Sequence, residues 1–200
     1  MQRQLLIGSA AALAALSLSA CNKPSTESKG AATPAEQAAT PSANPAATVP
    51  TPSNEAAAPD FVAKAAASDM FEIAAAKIAE KRATSPEVKK FAAMMVAEHT
   101  KSTEGLKKAI ADSGQSLSPP AALPKDLQDK IDDLNKADAK TFDKNYMDNQ
   151  VDAHQAALDL MQRYAQDGDV AQIKDAAAKI APTVQQHLDK ARALKDALHG

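Results

Sequence analysis

From about position 60 onward, apolar residues recur at steps of three and four, the interval that stacks side chains on one face of an α-helix. Phe61, Ala65, Ser68, Glu72, Ala75 and Ala79 form one seam. Val88, Ala92, Met95, His99, Ser102 and Leu106 form a second. Met147, Val151, His154, Leu158 and Met161 make the third, and Ile173, Ala177, Ile180, Val184, His187, Ala191 and Leu194 the fourth. The pattern predicts four long helices. A shorter one over about 125–135 has Leu127, Ile131 and Leu134 on one side.

Punctuation sets the boundaries. Asp60 is a suitable N-cap for the first helix, which runs to Lys81 or Arg82. In the short link that follows, Ser85 can cap the next helix. Pro86 suits its first position and Glu87 the positive end of its dipole. So short a link makes the first two helices an antiparallel pair, the second ending near Ser113-Gly114. The connection from Gly114 to Lys140 is long and holds Pro119, Pro120 and Pro124. Beyond it, helices over about 140–166 and 170–198 flank the tight turn Asp167-Gly168-Asp169, with a kink expected at Pro182. Two helical hairpins joined by one long crossover is the connectivity of an all-α, ferritin-like four-helix bundle. Residues 60–200 are its expected extent.

The chain before this domain has a different character. Arg3 precedes an uninterrupted run of apolar and small residues from Leu5 to Leu16, too short to span a bilayer and shaped like a signal peptide over 1–20. The run closes on Leu18-Ser19-Ala20-Cys21, which resembles a bacterial lipobox. The resemblance implies that the Cys21 thiol carries the lipid. Two or more acyl chains on one residue would give stable anchoring. An ordinary signal peptide is the alternative, and it would leave a lone thiol on an exported protein. Asn22 stands where Asp would retain a lipoprotein at the inner membrane, so the expected address is the periplasmic face of the outer membrane. Cys21 is also the only cysteine, which excludes a disulfide or a cysteine nucleophile in the mature domain.

Between Cys21 and Pro59 the sequence holds 7 of the chain's 12 prolines among Ala, Thr, Ser and Asn, with Val49 the only large aliphatic residue. Such a stretch cannot bury enough surface to offset its ordering entropy and reads as a disordered tether over 21–59. Its end-to-end distance would be about 35 Å.

Charge narrows the function. Without Arg3, 22 basic residues face 25 acidic ones, and no basic patch stands out for nucleic acid. No glycine-rich phosphate loop and no Gly-x-Ser-x-Gly arrangement is present. The expected partner is the membrane, through the anchor, with an envelope protein as a further partner of unknown identity.

The remaining chemistry lies in the histidines. His99, His154 and His187 each fall within an apolar seam, one per helix, and Glu72 interrupts the small-residue seam of the first helix. At 1.5 Å per residue, Glu72 and His99 lie about 19 and 22 Å from the first hairpin turn, and His154 and His187 about 22 and 28 Å from the second. All four could reach a common mid-bundle region. Three imidazoles and a carboxylate would suit a single Zn, Cu or Fe ion. A buried hydrogen-bond cluster with Glu72, Tyr146, Gln150 or backbone as partners is the other reading, and it could fix the register of the bundle without metal. His199, near the C-terminus, carries no expectation.

Several segments resemble a bacterial family known as domain of unknown function 4142. They are Phe61-Val62 with Met70-Phe71-Glu72-Ile73, Pro86 to Ala92 with Met95 to His99, Phe142 to Tyr146 with Val151 to His154, and Pro182 with His187-Leu188. The resemblance implies an exported protein similar to ferritin-like bundles and leaves its activity open. It brings no di-iron site, because the Glu-x-x-His pair is absent. Glu72 is followed at the third position by Ala75 and Glu98 by Lys101, while Val96, Val151 and Val184 precede the three histidines. A mononuclear site or none is expected, and no enzymatic activity is assigned.

Overall fold

The structure, a computed structural model, describes residues 54–198, which lie within one compact unit, Thr48–Gly200. The expected signal peptide, Cys21, nearly all of the tether and His199 fall outside the described residues. Among those described there are five helices and no strand: α1 (Ala58–Arg82), α2 (Pro86–Ser113), α3 (Lys125–Lys136), α4 (Phe142–Asp167) and α5 (Ala171–Ala197). None is long and apolar enough to cross a membrane.

The helix ends follow local chemistry with two shifts. Ser85 caps α2 as expected, its Oγ accepting the Val88 N–H at 3.4 Å. Gly114 ends α2 in the left-handed conformation, φ 67°, which costs glycine nothing. α1 starts two residues earlier than the sequence suggests, because the chain supplies a different cap. The Ala58 N–H is taken by Asp169 from the far turn at 2.9 Å, and Asp60 sits inside the first turn. α4 starts two residues later, because Asp138 accepts the N–H groups of Lys140 and Thr141 and holds them in a turn. α5 continues through Pro182.

Two aspartates, Asp143 buried and Asp169 exposed, fix how the hairpins dock. Asp143, in the first turn of α4, accepts the Thr84 N–H at 3.0 Å, the Thr84 hydroxyl at 2.7 Å and the Ser85 N–H at 2.7 Å. At the opposite end, Asp169 accepts the Ala58 N–H and the Tyr164 hydroxyl, and its own N–H donates to Ala56. The start of α4 therefore lies beside the α1–α2 turn, and the start of α1 beside the α4–α5 turn. It follows that α2 and α4 run in the same direction, and the crossover must travel the length of the bundle. Arg82 secures its return. The guanidinium donates to the carbonyls of Leu134, Asn135 and Ala137 at the end of α3 and lies 4.9 Å from the Phe142 ring centroid.

Each long helix packs on two other long helices, α1 on α2 and α4, and α5 on α4 and α2, while α3 lies against α1 and α4. Alanines at 65, 75, 76 and 79 are buried and let α1 approach closely. The apolar core is divided. One cluster gathers Phe71, Phe91, Met95, Phe142, Tyr146 and Met147, and another gathers Phe61, Leu106, Met161, Tyr164 and Ile173. Full burial of each such side chain contributes about 1.5–3 kcal/mol. Phe61 and Tyr164 stack at 4.0 Å between centroids, and a Cβ on Gly168 would come within 2.6 Å of that tyrosine ring. Between the two clusters, at Asp69 and Glu72, His99, Gln150 and His154, and His187, the interior turns polar, beside a small third cluster of Ala157, Leu158, Val184 and Leu188.

Candidate metal centre

The buried polar groups of this middle layer are Asp69, Glu72, His99, Gln150, His154 and His187. Each stands on the inward face of its helix because the apolar residues one or two turns away hold that face inward. Met95 and Leu106 do this for His99, Met147 and Leu158 for His154, and Val184 and Ala191 for His187.

The three histidines meet. One ring nitrogen from each lies within 4.8 Å of the others, and the ring centroids are 5.4 to 5.6 Å apart. The closest approach is Nε2 of His99 to Nε2 of His154, 3.4 Å. Their opposite nitrogens are committed. His154 Nδ1 donates to the Gln150 carbonyl at 2.8 Å, and His99 Nδ1 donates to the Asp69 carboxylate at 2.8 Å. Neither partner can donate in return, so in the neutral rings both Nε2 atoms carry lone pairs directed at one region. His187 Nδ1 is buried with no hydrogen-bond partner.

Asp69 is the residue the seam pattern missed. It is buried, whereas Ser68, placed on the seam in its stead, is half-buried. The other Asp69 oxygen accepts the Thr103 hydroxyl at 3.0 Å, one turn beyond His99. The available signal was its position three residues before Glu72, which puts both carboxylates on one face of α1.

Glu72 is close by but outside the three-nitrogen cluster. It approaches His154 from behind, Oε1 lying 3.7 Å from Nδ1, and Oε2 accepts the Gln150 amide. Tyr146 OH and Gln150 Oε1 are buried without partners on the same side. The three histidines singled out in the sequence thus lie together, whereas Gln150, expected as a histidine partner, gives its side-chain amide to Glu72 and only its backbone carbonyl to His154. The structure puts Glu72 on the far side of His154 from the nitrogens that converge.

Electrostatics sort these groups. Burial, reinforced by the charge of His99, pushes His154 down to about 3 and His187 down to about 4, so both rings are neutral with free lone pairs at pH 7. Burial also works against a charged His99, but the Asp69 hydrogen bond and the charges of Glu72 and Asp69 outweigh it and raise its pKa. Burial lifts Glu72 to about 7, against the lowering effects of His99 and Gln150.

The donor set fits a borderline transition metal. Two ligands bonded at about 2.0–2.1 Å in a tetrahedral site stand about 3.4 Å apart, the separation found between His99 and His154, while the three nitrogens together lie within 4.8 Å, so His187 would have to move closer to share the ion. A ligand histidine whose other nitrogen donates to a carboxylate or carbonyl is also the usual arrangement around such ions.

Comparison with known proteins adds the family. The one described as Domain of unknown function (DUF4142) matches residues 40–194. The chain belongs to this family. Its description assigns no activity, so the family gives the three histidines no role. No curated protein and no solved structure matches the chain.

Proposed function

We propose that this member of the family is an envelope lipoprotein whose helical domain binds one transition-metal ion through His99, His154 and His187. The observation that carries the reading is the convergence of three buried imidazole nitrogens within 4.8 Å, from three different helices, with the backs of two rings held by Asp69 and the Gln150 carbonyl. Zn, Cu and Fe are the ions such a nitrogen set favours. Glu72, Tyr146 and Gln150 form a polar surround behind His154 and supply no ligand in this reading.

The bundle reads as ferritin-like. The parallel course of α2 and α4, the lengthwise crossover and the pairing of each helix with two others support that topology. The ligand set departs from the carboxylate-rich di-iron pattern, which favours one ion over two. At the other end of the chain, the apolar leader and Leu18-Ser19-Ala20-Cys21 support lipidation at Cys21 and a place at the outer membrane. Loss of radiolabelled palmitate incorporation in Cys21→Ser is the expected mark of that anchor, and equal labelling in both chains would remove it.

Elemental analysis of the purified full chain tests the centre. About one ion per chain is expected in the wild type and a marked loss in the combined His99→Ala, His154→Ala, His187→Ala variant, provided circular dichroism shows it folded. Equal metal content in two folded chains sinks the proposal.

The second reading is a metal-free interaction module, in which the histidines only fix register. The chain from Asp69 through His99 to His154 and the Gln150 carbonyl, continuous once His99 is protonated and donates from Nε2, is what favours it. In that case, adding metal would leave the melting temperature unchanged.

A further inference from the structure

We infer that an ion held by His99, His154 and His187 keeps one coordination position open to a small exogenous donor, of the class of hydroxide, azide or cyanide. The inference rests on the metal-binding reading and asks what completes the coordination.

Among the described residues, no fourth His, Cys, Asp or Glu joins the three nitrogens. The two nearby carboxylates are committed elsewhere. Asp69 uses one oxygen for His99 Nδ1 and the other for the Thr103 hydroxyl. Glu72 faces the Nδ1 side of His154, and that nitrogen is occupied by the Gln150 carbonyl. The ligating atom of His154 is therefore Nε2, which points away from Glu72. Bringing Glu72 to the same ion would require breaking its Gln150 hydrogen bond and passing the His154 ring.

Zn in nitrogen-rich sites takes four or five donors. Structural zinc sites draw all four from protein, whereas sites with three protein ligands keep a water or substrate in the fourth position. Three imidazoles place this centre in the second group. Burial limits what could occupy that position. His154, on α4, is 0 % exposed, and His99 on α2 and His187 on α5 keep only 4 % and 5 %, so a donor of two or three atoms is the size that suits the site.

Cobalt(II) is a suitable probe, because its visible d–d bands report both binding and coordination. The full chain in detergent is titrated with cobalt(II), and azide is then added to the loaded protein. One equivalent of cobalt with intense visible bands is expected, and azide should shift those bands in a saturable way. Stoichiometric cobalt whose spectrum ignores saturating azide overturns this inference alone and means that the protein fills every position itself. No cobalt bound beyond that of the triple histidine variant overturns the metal reading and this inference together.

Discussion

The Asp69 carboxylate takes the Nδ1 proton of His99 at 2.8 Å and the Thr103 hydroxyl at 3.0 Å, so a single α1 side chain orients a histidine and a threonine of α2. His99 thereby presents Nε2 towards His154, with no freedom to turn its ring over. Carboxylates in this position raise the basicity of a ligand histidine and fix its tautomer.

Removing that support should weaken the centre without abolishing it. Asp69→Ala is expected to lower metal affinity about 10- to 100-fold, and Asp69→Asn less, since the amide oxygen can still accept the proton. Competition against a chromophoric chelator measures both. A folded Asp69→Ala chain with wild-type affinity would show that His99 needs no such partner, or is no ligand.

Asp143 should matter for stability and not for metal. Its carboxylate satisfies two backbone N–H groups and a hydroxyl in the α1–α2 turn, a region 58 and 59 residues away in sequence. Asp143→Ala leaves those donors unsatisfied and is expected to cost about 2–4 kcal/mol. Urea denaturation of the metal-free protein gives the value. A loss below about 0.5 kcal/mol would mean that the turn finds other acceptors at no expense.

Both tyrosines should resist ionisation. Burial raises Tyr164 to about 12, with the Asp169 hydrogen bond and charge adding to it. Burial and the charge of Glu72 raise Tyr146 well above the ordinary value of 10. A group whose pKa is raised by folding lends stability that is complete below its unfolded pKa and is lost as pH climbs through the folded one. The loss should therefore begin above pH 10 and extend through about pH 12. Phenolate absorbance should stay low up to about pH 11 in the folded chain and rise near pH 10 in urea. Since Tyr146 and Tyr164 are the only tyrosines, a folded-state transition near pH 10 would contradict the packing of at least one of them.

The helices and the three histidines were readable because a 3.6-residue period is a local property, and a residue on the apolar face has only one place to go. Asp69 escaped because the seam of α1 is built almost wholly from alanine. With so little contrast in side-chain size, the pattern cannot say whether Ser68 or Asp69 faces inward, a rotation of about 100°. The position of Glu72 behind His154 depends on side-chain rotamers and on the Gln150 amide, neither of which leaves a mark in spacing. Asp143 and Asp169 were invisible for another reason. Each caps a turn or helix on the other hairpin, and no local motif announces a partner so distant in sequence.

Those two aspartates make the hairpins mutually dependent. α1–α2 finishes its turn with a carboxylate from the second half of the chain, and α1 begins on one from the same half. The histidines are split the same way, His99 from the first hairpin and His154 and His187 from the second. A chain cut within the crossover should thus yield two pieces that are poorly folded apart and regain structure on mixing, and the ability to hold metal would appear only on reunion. The centre is in effect a report that the two halves have met.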